Sequence, residues 1–156
     1  MTYPKAAVAA AFQLLPAKMD SRVARVIHAA IGYQESKYKV RIQSGNGPAR
    51  SYWQFENGRL SGINGVLNHK ATAALAKTVC AACGVDPERM AVWKAMATDD
   101  VLGAAFARLL MYTDPLPLPD NAAAAWEMYA ERLWRPGRPH PDTWPDSWAF
   151  GLECVQ

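Results

Sequence analysis

Cysteine is scarce in this chain, with three residues among 156, and an odd number argues against a disulfide framework and for a reducing compartment. Cys80-Ala81-Ala82-Cys83 has metal-like spacing, yet no second pair accompanies it, so the two cysteines read as small apolar helix residues. Charge of one sign is nearly as scarce. Seventeen Lys and Arg against fourteen Asp and Glu leave a formal +3, well short of the concentrated basic stripe that nucleic-acid binding requires. Such an excess serves solubility first, and it suits an anionic polymer. No stretch approaches the roughly 18 consecutive apolar residues of a membrane span, so no stable membrane insertion is expected. The opening Met1 to Leu15 carries Lys5, a Gln13 within its apolar run and no convincing cleavage site, and reads as a first helix rather than a signal peptide. Repeats, low-complexity tracts and long linkers are absent as well. At 51% hydrophobic and 20% charged, the chain fits one compact domain over residues 1–156.

What is present is helical patterning. Pro4 to Leu15 is Ala-rich and stops at Pro16, which has no amide hydrogen to donate. Asp20 or Ser21 caps a second helix, in which Val23, Val26, Ile27, Ala30 and Ile31 form one apolar stripe with Arg22 and Arg25 outside it. The cluster Ser44-Gly45-Asn46-Gly47-Pro48 then breaks any helix, and the aromatic run Tyr52 to Phe55 resembles a short strand, so a small β-hairpin or irregular segment is expected around residues 40–56. Further helices are predicted within Asn57 to Leu67, from Asn68 to Gly84, after Asp86-Pro87 with the proline in the first turn, from Thr98-Asp99-Asp100 onward, and from Asn121 to Trp134. A Pro-rich tail, 135–156, wraps the body. The expected class is mainly α.

Chemistry concentrates between residues 35 and 56. Glu35 lies four residues past Ile31 and eight past Ile27, on the border of the apolar stripe and near the helix end. A carboxyl held there is partly desolvated, which raises its pKa toward that of a general acid working near neutral pH. The plainer account is a glutamate that caps the helix or pairs with Lys37 or Lys39. Ser36 can hold the helix terminus, and the Gly-rich loop can return Tyr52, Trp53, Gln54 and Glu56 over Glu35. Gln54 then offers an amide to sugar hydroxyl or N-acetyl groups, and Glu56 shares its facing if the segment is extended. Taken singly, Tyr52, Trp53 and Phe55 also read as core aromatics. His28 is one helical heptad before Glu35, but a lone histidine is more often packed than catalytic. Trp144 and Trp148 can stack on sugar rings, although a Pro-rich tail usually packs its aromatics.

The order Gln34-Glu35-Ser36-Lys37-Tyr38, then Gly47-Pro48-Ala49-Arg50-Ser51-Tyr52-Trp53-Gln54-Phe55, resembles the Glu-Ser and Gly-Leu-Met-Gln signatures of goose-type lysozymes and soluble lytic transglycosylases, with Ser51-Tyr52-Trp53 standing where that superfamily favours Gly-Leu-Met. Gly103 to Leu110 is similar to its Gly-x-x-Tyr-Leu helix, and Ala125-Trp126-Glu127-Met128-Tyr129 to its Ala-Tyr-Asn segment, with Ala130 in place of the Asn. The likeness covers about residues 20–135. It implies a lysozyme-like fold and cleavage of the β-1,4 bond between N-acetylmuramic acid and N-acetylglucosamine in peptidoglycan strands, without a cofactor or metal. Glu35 would be the catalytic acid and Glu56 the residue that orients water. Ser36, Tyr52, Trp53, Gln54 and Tyr129 would contact substrate, with Tyr112 or Trp126 as alternatives to Tyr129.

Hydrolysis is the expected reaction; the alternative is a lytic transglycosylase that leaves 1,6-anhydromuramic ends. A non-catalytic virion or glycan-binding module is the rival from another class, and a helical DNA-binding protein comes third. With no export signal evident, the expected setting is a monomeric bacteriophage or prophage protein, held in the host cytoplasm or in a virion and released by a holin-type lesion to act on the cell wall.

Overall fold

A computed structural model describes residues 2–156. It is mainly α: eight α-helices, and no named strand among the described residues. Helix α1 (Lys5–Gln13) begins after Pro4 and ends just before Pro16. Between Asp20 and Ser21, the serine is the cap of α2 (Arg22–Ser36), its hydroxyl accepting from Ala24 N at 3.1 Å, while Asp20 pairs with Arg25 at 2.6 Å. Then follow α3 (Gly62–Asn68), α4 (Ala73–Cys83), α5 (Arg89–Ala95), α6 (Asp100–Tyr112), α7 (Ala122–Trp126) and α8 (Trp144–Glu153). Gly84, at φ 68°, ends α4 in the left-handed conformation for which glycine is the cheapest residue. Glu88 caps α5 by accepting from Met90 N and Ala91 N, so Pro87 sits before the helix and not in its first turn as expected.

Helix α6 is the hub. Every residue from Leu102 to Met111 is buried, as a helix enclosed by others must be, and α1, α2, α3 and α4 pack against it. Asp99 caps it through Leu102 N, Asp100 pairs with Arg41 at 2.8 Å, and Asp114 pairs with Arg132 at 2.9 Å. Buried side chains from Val8 through Trp144 form one continuous core. No helix is long and apolar enough to cross a membrane.

The segment expected as a hairpin is irregular. Ile42 bridges Arg50, and Arg50 bridges Phe55 through reciprocal backbone hydrogen bonds of 2.8 Å. Residues 51–54 between them form a tight turn, with Ser51 at φ 65° and Gln54 at φ 52°. Gln54 and Glu56 therefore do not share a face by strand alternation. The turn seats directly on α6, where a Cβ at Gly103 would lie 2.8 Å from Ser51 Cβ.

The tail does more than wrap. Helix α8 packs along α2, so closely at Gly151 that an added Cβ would lie 2.4 Å from the carbonyl oxygen of Val26. Gly151→Ala is expected to cost about 1–3 kcal/mol, read from urea unfolding, because the clash is with helix backbone that cannot turn aside. Beyond α7 the same helix widens into a π-helical stretch, Glu127–Leu133, in which Trp134 N reaches Tyr129 O at 2.9 Å.

Candidate functional site

Glu35 occupies the last turn of α2, half-buried. Its Oε1 accepts a 2.6 Å hydrogen bond from the Tyr129 hydroxyl, across 94 residues of chain. Burial pushes the Glu35 carboxyl up to about 7; the Tyr129 hydrogen bond works against that shift and the negative charge of Glu56 adds to it. Burial, and then the neighbouring Glu35, hold the Tyr129 phenol well above its ordinary value, so it remains a donor at any working pH. The wide π turn carries Tyr129, and the Trp144 indole stacks against its ring at 5.4 Å with planes 3° apart. The C-terminal half of α2 is fastened too. Gln34 takes a 2.6 Å hydrogen bond from Ser147 and donates to Thr143 at 2.9 Å.

Glu35 lies in the wall of an open groove of about 1110 Å³, which Gln54, Phe55, Glu56, Leu110 and Trp134 also line. This is at the large end of ligand sites. Gln54, which lines the groove, donates its amide N–H to Ser51 O at 2.7 Å, and its amide oxygen enters no hydrogen bond among the described residues. Glu56 is solvent-exposed at the groove edge. The structure thus gathers Glu35, Gln54, Glu56 and, behind Glu35, Tyr129.

Other expected contacts are not brought there. Ser36 is consumed in ending α2, its hydroxyl donating to Gly32 O and accepting from Tyr38 N, both at 3.1 Å. Trp53 is 0% and Tyr52 6% exposed. The turn points both into the body, Tyr52 edge-on to Tyr38 and Trp53 with its indole N–H donating to His28 O at 2.9 Å. Tyr112 lies at the far end of α6 beside Lys18 and Arg108, away from the groove lining. Trp126 packs against Tyr129 and Trp144 and supports the site from behind. His28 is a core residue: it is fully buried, hydrogen-bonded through Nε2 to Ala104 O at 2.9 Å, and burial depresses it to about 3, so it stays neutral.

Trp134 joins the site although no sequence motif marks it. It is half-buried in the groove wall, and its indole N–H donates to Trp53 O at 2.9 Å. A hydrogen-bonded chain therefore runs from α6 through His28 and Trp53 to Trp134, setting the groove wall and α2 in one frame. Periodicity gave no hint of this, because Trp134 follows a π turn that shifts its facing.

Among the described residues no cluster of three or more His, Cys, Asp or Glu is arranged to hold a metal. Cys80 and Cys83 sit on α4, and burial pushes each thiol up to about 11, which disfavours the thiolate that metal or redox chemistry uses.

Removing the Tyr129 hydroxyl by Tyr129→Phe takes away the interaction that lowers the Glu35 pKa. In a carboxyl-observed nuclear magnetic resonance titration the Glu35 pKa is expected to move upward from about 7. No family model, curated protein or solved structure matches this chain.

Proposed function

We propose that the protein is a lysozyme-like glycosidase that cleaves the β-1,4 bond between N-acetylmuramic acid and N-acetylglucosamine in peptidoglycan. The observation that carries the reading is Glu35: a carboxyl partly buried in the wall of a groove, fixed by a phenol, and raised to about 7. Near neutral pH a substantial fraction is protonated, so Glu35 can give its proton to the glycosidic oxygen as the bond breaks. The resulting carboxylate is stabilised by the Tyr129 O–H already aimed at Oε1. Gln54 offers its amide oxygen to N–H or O–H groups of the sugar, and Trp134 offers an indole face for a ring to stack on. Glu56, the second carboxylate of the groove, orients the attacking water.

A transglycosylase reading has its own support. Among the described residues no hydrogen bond or ion pair holds Glu56, so Glu35 is the one carboxyl in the groove with a fixed position. In that reaction the muramic 6-hydroxyl attacks internally and Glu35 serves as acid and then base. Mass spectrometry of digested muropeptides separates the two. Reducing muramic ends are expected, and anhydro ends on most fragments would replace hydrolysis by transglycosylation. A non-catalytic glycan-binding or virion module is excluded if Glu35→Gln abolishes clearing of permeabilised Gram-negative cells that the wild type achieves. The associated setting, a phage protein reaching the wall by holin-type release or within a virion, is tested by fractionating infected cells.

A further inference from the structure

Besides its carboxylates the groove carries two guanidinium groups. Trp134-Arg135-Pro136-Gly137-Arg138 forms a continuous stretch of its wall. Most other arginines that could bind an anion are occupied within the protein. Arg25, Arg41 and Arg132 pair with Asp20, Asp100 and Asp114. Arg50 lies over Trp93 with its guanidinium bonded to backbone oxygens, and Arg108 is buried against Met19 O. Arg135 and Arg138 enter no ion pair or side-chain hydrogen bond among the described residues, both are exposed, and both line the groove that holds Glu35.

Their backbone is fixed by the site itself. Arg135 adopts φ 47° and closes the π turn, its N–H reaching Tyr129 O at 3.3 Å. The following proline restricts the chain further. The same residue that holds Glu35 thus anchors the loop, and a ligand seated by the two arginines is placed in register with the acid.

A guanidinium has five N–H donors in a planar fork suited to carboxylate oxygens and cannot lose its charge. Two of them, unpartnered in one groove, can donate to neutral sugar oxygens but gain most from a carboxylate, whose charge and paired oxygens match the fork. We propose that Arg135 and Arg138 form a subsite for the carboxylates on the peptide substituents of the glycan, making the groove selective for peptide-bearing strands over neutral N-acetylhexosamine polymers. This inference rests on the glycosidase reading and specifies its substrate.

The test uses the full chain with Glu35→Gln added to prevent turnover, and calorimetric titration with two probes: a glycan fragment bearing peptide stems, and the uncharged N-acetylglucosamine hexamer. Arg135→Gln/Arg138→Gln is expected to weaken binding of the peptide-bearing probe about tenfold, a loss at least fivefold larger than that on the hexamer, and to flatten its salt dependence. Arg135→Lys/Arg138→Lys should recover the salt dependence while remaining weaker than Arg, because the charge returns without the fork. Equal affinity of parent and double Gln variant for the peptide-bearing probe, or parallel losses on both probes, overturns the proposal. If the protein with Glu35 intact cleaves neither polymer, the glycosidase reading falls on that result, while the titrations still report separately on the arginine pair.

Discussion

Glu35→Gln is expected to lower glycan cleavage by about 10²–10⁴-fold and, at the same time, to stabilise the protein above neutral pH. The loss follows from the role: glutamine fills the same volume and accepts the Tyr129 hydrogen bond, but has no proton to deliver. The gain follows from burial. In the unfolded chain the carboxyl titrates near 4.5, and in the folded protein near 7, so the folded state holds the proton more tightly. Below about 4.5 both states are protonated and Glu35 costs nothing. As pH rises through the window from 4.5 to 7 the unfolded state ionises first, and the folded state is penalised by an amount that levels off above 7, on the order of 3 kcal/mol. Urea unfolding at pH 4 and pH 9 should show wild type and variant equal at the first and the variant more stable at the second. A variant that is no more stable at pH 9, or that cleaves at the wild-type rate, removes Glu35 from the role of acid. Such a trade of stability for activity is the usual mark of a site holding a group in an unfavourable state.

Trp53→Ala is expected to cost about 3–5 kcal/mol, a large part of the roughly 5–15 kcal/mol that holds a domain together. The indole is fully buried, lies 4.6 Å from the His28 ring centroid and donates to His28 O. Removing it leaves a cavity between α2 and the turn that seats on α6 and strips His28 O of its second hydrogen bond, the one beyond its intrahelical partner. Because Trp134 bonds to the Trp53 backbone, a collapse there also displaces the groove wall. Urea unfolding and near-ultraviolet circular dichroism check this, with Trp53→Phe as a milder companion that keeps much of the volume. Retained stability together with a raised KM would return Trp53 to the substrate-contact role that its sequence position invites.

The contrast between Glu35 and Trp53 shows what sequence pattern can reach here. Glu35 is legible because α2 is regular: a 3.6-residue period sets which side chains border the apolar stripe, and the partial burial of position 35 follows from Ile27 and Ile31. Trp53 lies in a turn with two non-glycine residues at positive φ, and no period says where its side chain points. Ser36 was legible as a helix-terminating hydroxyl, and that use leaves nothing for substrate. Tyr129 is marked in the sequence by resemblance alone, and the 2.6 Å contact with Glu35 adds a physical reason for its presence.

The linear chain by itself determined the helical class, the positions of most helices and the placement of one acidic group at an apolar border, because these depend on local periodicity, capping residues and helix breakers. The tertiary structure alone decided that Tyr129 meets Glu35, that Trp134, Arg135 and Arg138 join Gln54 and Glu56 around one groove, and that Tyr52 and Trp53 turn inward. Each of these depends on the π turn in the last long helix, on the tight turn at residues 51–54 or on the docking of α8 against α2. Those features arise from packing between segments distant in sequence, and packing of that kind leaves no period to read.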